Sequence, residues 1–157
     1  MRLLLLTASL IFSSVYSYAA SETTQEKISR YLEYTHSYNK NAGEHLFLFR
    51  STVNPAILSS FILDGLDNLK SSAEYLEESL NLSGKPSTTM KKEFLDLSEK
   101  SSAFEAFYNM LKAWGESNFP GMVVKPKDFD SFQSHQQQSE QALASLKARA
   151  AVIEKKF

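Results

Sequence analysis

FDSFQSHQQQSEQALASLKARAAVIEKKF, residues 129–157, carries the plainest structural signal in the chain. Phe129, Phe132, Gln136, Ser139, Leu143, Leu146, Ala150, Ile153 and Phe157 follow one another at alternating steps of three and four, which aligns them on one face of an α-helix. Asp128 and Asp130 stand where that helix would begin and Lys155 and Lys156 where it would end, each with the sign that its end of the helix dipole favours. The period and the charges agree on one long amphipathic rod.

Working outward, the same spacing recurs. Met90, Phe94, Leu97, Ser101, Phe104, Tyr108 and Leu111 form a second seam, widened by Phe107 and Trp114 and closed by Gly115. Leu58, Ile62, Leu66, Leu69, Ala73, Leu76 and Leu80 form a third, preceded by Asn54 and Pro55, residue types suited to an N-cap and a first helical position. A fourth, Ile28, Leu32, Thr35, Tyr38, Ala42, Leu46, Phe49 and Val53, keeps its period across Asn39, Asn41 and Gly43. Those three could make a turn. One Gly in a helix interior costs only about 1 kcal/mol, however, and a continuous helix gives four rods of matched length. The spacing therefore predicts helices over residues 22–51, 55–82, 87–116 and 127–157, each ~42–46 Å long. Short breaks near Val53 and over Ser83, Gly84, Lys85 and Pro86 join antiparallel neighbours, and a longer loop runs from Asn118 to Pro126. The expected fold is all-α, an antiparallel up-down four-helix bundle.

Ahead of it, Met1 and Arg2 lead into the apolar run Leu3 to Leu6, Leu10, Ile11, Phe12 and Val15, then small residues at Ser17 and Ala19. That is the layout of a signal peptide over residues 1–19, cleaved before Ala20, with a single bundle domain over 20–157. The apolar run is shorter than the ~20 residues of a membrane span. Export to a periplasm or the extracellular medium follows as the expectation. Cysteine is absent, so packing rather than disulfides must hold the fold. Loss of Arg2 with the leader turns 17 basic and 18 acidic residues into 16 and 18, a net charge of −2. Such a balance exerts no long-range pull on nucleic acid or anionic lipid.

An up-down bundle collects its segments at two ends, and these differ in character. One end is polar, with the Asn81 to Ser87 turn and Lys155 and Lys156. The other gathers Phe47, Phe49, Phe61, Trp114, Phe119, Met122 and Phe129. Leu46, Phe47, Leu48 and Phe49 cover every direction around a helix, so one of these side chains must leave the core. The Asn118–Pro126 loop closing over this end is the bland explanation, and a partner-binding patch or apolar pocket is the functional one. Leu46 to Leu63 is apolar, yet Arg50, Asn54 and Pro55 interrupt it, which argues against a membrane span in the mature chain.

Chemistry is harder to find. Glu33 and His36 form a lone E-x-x-H where a di-iron bundle needs two, plus glutamates on other helices. His45 and His135 are the weak candidates for a metal or haem site, being placed at similar levels on the first and last helices, which a square up-down arrangement makes neighbours. Glu74, Glu77 and Glu78 read as the wet face of one helix, and Gln133, Gln136, Gln137, Gln138 and Gln141 as another. Asn81, Leu82 and Ser83 make a glycosylation sequon. No G-x-S-x-G elbow or phosphate-binding glycine loop is present. The leading expectation is a non-enzymatic exported bundle without cofactor that binds another protein or a second copy of itself. A carrier of a lipid or fatty acid between the helices comes second, and a haem or metal bundle third.

Overall fold

A computed structural model describes residues 21–118 and 126–157, and among them the chain is helical with no strand. The signal peptide expected over residues 1–19 lies outside the described residues. Four helices occur in order: α1 Thr24–Phe49, α2 Pro55–Ser83, α3 Thr88–Asn118 and α4 Pro126–Glu154. None is long and apolar enough to cross a membrane.

Local chemistry fixes the helix ends. Thr23 caps α1 through a reciprocal box: its hydroxyl accepts from the Glu26 N–H, and the Glu26 carboxylate accepts from the Thr23 N–H at 2.8 Å. These donations, from the backbone first and the hydroxyl second, hold the Glu26 carboxyl below the usual carboxylate range. A depressed folded pKa means that the contribution is present above the unfolded value and is lost as pH falls through the folded one. Acidification below the ordinary carboxylate range is therefore expected to release the Thr23 amide first. Hydrogen exchange at Thr23 and Glu26 should rise before exchange in the middle of α1; equal protection throughout would contradict the box. Asn54 caps α2, its Oδ1 accepting from the Ala56 and Ile57 amides, with Pro55 as the first residue, as the sequence suggests. Gly84 ends α2 in the left-handed region at φ 66°, where a side chain would be strained.

The seams of α2, α3 and α4 enter the core much as their spacing requires: Ile62, Leu66, Leu69, Leu76, Met90, Leu97, Phe104, Leu146 and Ile153 are all buried. α1 runs unbroken through Asn39 to Gly43. Its inward face is nevertheless different from the one expected. Asn39, fully buried, replaces Tyr38 at the core, and Val53 lies beyond the helix, 93% exposed. Tyr38 instead stacks on Tyr75 of α2, which Tyr31 and Tyr34 also flank, so a shared tyrosine cluster covers the α1–α2 seam from outside.

The pairing of helices departs from the square arrangement. α2 and α3 each touch all three other helices, whereas α1 and α4 share no contact among the described residues. Gly65 sets how closely α2 and α3 approach. A Cβ placed there would sit 2.0 Å from Phe104 Cζ, so the missing side chain lets a fully buried phenylalanine of α3 rest against the α2 backbone. α2 and α3 thus form the central pair that both α1 and α4 pack against.

Candidate functional site

Around the α1–α2 connection the apolar surplus reaches solvent. Phe47 is 73% exposed, and Leu48, Val53, Ile57 and, on α3, Met110 are exposed as well. Within residues 45–63 the only formally charged side chain is that of Arg50, itself exposed. Leu46 packs against the core and Phe49 is buried, stacked on Phe107 with ring centroids 4.2 Å apart. The turn of helix from Leu46 to Phe49 therefore splits two in and two out.

The other residues expected at this end disperse. Phe61 is half-buried beside His45, Trp114 packs partly buried against the core, and Phe129 lines a groove between α3 and α4. Phe119 and Met122 lie outside the described residues. Phe47 and Phe129 belong to helices that share no contact among the described residues, Phe47 standing exposed near the end of α1 and Phe129 lining the groove on α3 and α4.

For the same reason the structure does not bring His45 and His135 together, which corrects the expectation that their helices are neighbours. His135 Nδ1 lies 3.0 Å from Ser59 Oγ, and that hydroxyl donates to the Ala56 carbonyl at 2.9 Å. A hydroxyl has one proton; with it given to Ala56, Ser59 accepts from His135. Ser59 is fully buried, so this serine–histidine pair ties α2 to α4 and is closed to a substrate. The His45 and Phe61 rings lie tilted with centroids 6.2 Å apart, and His45 Nδ1 is buried with no hydrogen-bond partner among the described residues. Among the described residues no group of three or more His, Asp or Glu is arranged to hold a metal.

The residues that sequence reasoning missed are polar and central. Asn39 Nδ2 donates both to the Glu93 carboxylate at 2.9 Å and to the Glu93 carbonyl at 3.1 Å, while Asn39 Oδ1 accepts from Ser72 Oγ at 2.6 Å. Glu93 Oε1 lies 3.0 Å from His36 Nδ1, so His36 pairs with α3 and not with Glu33. One asparagine thus joins α1, α2 and α3. Its visible trace in the sequence is the run Asn39, Asn41 and Gly43 inside an otherwise regular helical period, residue types that read equally well as a turn.

The α3–α4 groove has a volume of about 610 Å³. On α3 it is walled by Tyr108, Lys112 and Glu116 with the buried Gly115 between them; on α4, Phe129 and Phe132 are followed by Gln133, Gln136, Gln137 and Glu140. Three of the glutamines assigned to a wet face thus line a concavity. Burial first, and the Glu140 carboxylate second, hold the Tyr108 hydroxyl above its ordinary pKa, and Tyr108 and Glu140 do the same for Lys112. Both stay protonated at neutral pH. Lys112 lies over the Tyr108 ring at 5.8 Å and 3.8 Å from Glu140. Gln136 Oε1, on a residue that lines the groove, and Ser139 Oγ, one turn further along α4, are shielded from solvent and have no hydrogen-bond partner among the described residues. Comparison with protein-family models, curated proteins and solved structures gives no match.

Proposed function

We propose that this is an exported, non-enzymatic up-down four-helix bundle that works by binding another protein through its apolar tip. The up-down order is supported by the contacts. Tyr31 and Tyr38 of α1 meet Tyr75 of α2 while the later His45 meets the earlier Phe61; Glu140 and Lys147 of α4 meet Lys112 and the earlier Glu105 of α3; and His135 and Arg149 of α4 meet Ser59 and the later Glu77 of α2, so α1 opposes α2, α3 opposes α4, and α2 runs with α4. Export rests on the leader composition of residues 1–19 and is tested by the mass of the protein isolated from its host, which should begin at Ala20.

One observation supports the binding reading above others: Phe47, Leu48, Val53, Ile57 and Met110 leave their side chains in water at the same end of the molecule. Large apolar groups scattered singly are ordinary on a surface, whereas several gathered round one turn mark an interaction site. Arg50 supplies the one formal charge within residues 45–63, which favours a partner with an apolar cleft and a carboxylate beside it.

A photo-crosslinking residue in place of Phe47 should capture a partner in the protein's own compartment. Phe47→Asp should weaken that complex by about thirtyfold or more, the scale of a central aromatic anchor, with the melting temperature unchanged because the side chain packs against little. A mature protein that remains monomeric and unlinked there, and that binds no apolar dye at the tip, would overturn the proposal.

A further inference from the structure

The seam between α1 and α3 identifies the occupant of the tip, given that the tip is a binding surface as proposed above. Three contacts fix how these helices lie: His36 meets Glu93, Gly43 lies against the Lys100 side chain, and Phe49 stacks on Phe107. Each joins a residue of α1 to one 57 or 58 positions later, so the two helices run parallel in a single register. On that register two opposite charges stand apart. Arg50, at the end of α1, is exposed and has no ion-pair partner among the described residues, and the same is true of Glu99 on α3. Glu99 lies level with Ala42, about eight residues or ~12 Å from the level of Arg50. Phe47, 73% exposed, falls between those levels and precedes Arg50 by one turn on the same side of α1. Facing it on α3 are Ala103, half-buried, and Ala106, exposed, whose small side chains leave room beside the ring.

Within one chain the two charges cannot meet, because the parallel register holds them at different levels. A two-fold axis brings them together. We infer that the partner of the tip is a second copy of this chain, packed antiparallel across the α1–α3 seam with the axis near the level of Phe47. That axis carries Arg50 of each copy to the level of Glu99 of the other and sets the two Phe47 rings side by side over the small residues. The neighbouring charges do not compete, since Lys40 pairs with Glu44 and Lys100 with Asp96 inside the chain. An unrelated partner need only offer a carboxylate to Arg50; a matching free carboxylate on the same seam is what singles out a second copy.

Analytical ultracentrifugation of the full mature protein tests the pairing. At about 100 µM the parent should be dimeric, and its association should weaken as salt rises. Arg50→Glu and Glu99→Arg should each weaken dimerisation by about thirtyfold, because every change acts twice in a two-fold pair. Mixed in equal amounts, the two variants should form a heterodimer about as tight as the parent dimer, since each restores the charge pair that the other reverses. Both side chains are exposed and unpaired within the chain, so neither variant should unfold earlier than the parent at about 1 µM. A parent that stays monomeric at about 1 mM, or a mixture that associates no better than either variant alone, would overturn the inference. A photo-crosslinking residue at Phe47 keeps this outcome distinct from the fate of the tip itself, the expected product being two identical chains. Capture of a different protein, with the charge variants silent, overturns the self-pairing and leaves the tip a binding surface, whereas no product at all removes both.

Discussion

Gly65→Ala is expected to destabilise the protein by about 3 kcal/mol or more, although alanine is the better helix former by ~1 kcal/mol. Position 65 lies within α2, a helix of 29 residues, and a solvent-facing glycine there would gain stability from the change. At Gly65 the new methyl would instead come within 2.0–2.8 Å of three atoms of the Phe104 ring. Phe104 is fully buried and cannot swing into solvent, so α2 and α3 must separate or the ring must leave its rotamer. Urea denaturation followed by circular dichroism measures the loss. Adding Phe104→Leu shortens the group in conflict, and the double variant should be more stable than the sum of the single changes requires. A Gly65→Ala variant as stable as the parent would mean that α2 and α3 are not held together at this point.

Asn39→Leu is expected to cost about 3 kcal/mol, even though leucine favours both helix and core. The substitution leaves the Ser72 hydroxyl and the Glu93 carboxylate, both buried, without the amide that joins them. His36 compensates little, because it is 67% exposed and an ion pair so open to water is worth under about 1 kcal/mol. The companion triple variant Asn39→Leu, Ser72→Ala, Glu93→Leu removes donors and acceptors together and should recover most of the lost stability. Its expected defect lies elsewhere: with no polar link fixing how α1 sits on α2 and α3, its amide spectrum should broaden from alternative packings. Sharp, dispersed resonances in the triple variant would show that apolar shape alone sets the alignment.

The sequence makes the helices legible because their apolar residues recur at a period that packing enforces over many turns. Leu66, Leu69, Ala73 and Leu76 lie where that period puts them, and Asn54 and Gly84 mark the ends of α2 by the backbone chemistry that such residues serve. What spacing does not encode is which rods meet. That depends on single residues whose effect is three-dimensional, such as the void at Gly65 and the hydrogen-bonding amide of Asn39, and neither alters the periodic pattern. The same holds for the tip and the groove. Leu46 to Phe49 shows that something must face outward, but which two side chains do so is set by the rotation of α1, which Asn39 governs by turning inward in place of Tyr38.

The separation of α1 from α4 also bears on how the molecule comes apart. Every tertiary bond of α4 described here ends on α2 or α3, including the grip of Arg149 on Glu74 and Glu77, so this last helix can peel away without disturbing the first. Local opening in proteins follows such boundaries. Hydrogens along α4 are then expected to exchange by a partial detachment that α1 does not share, so protection along α4 should fall with denaturant before protection along α1 does.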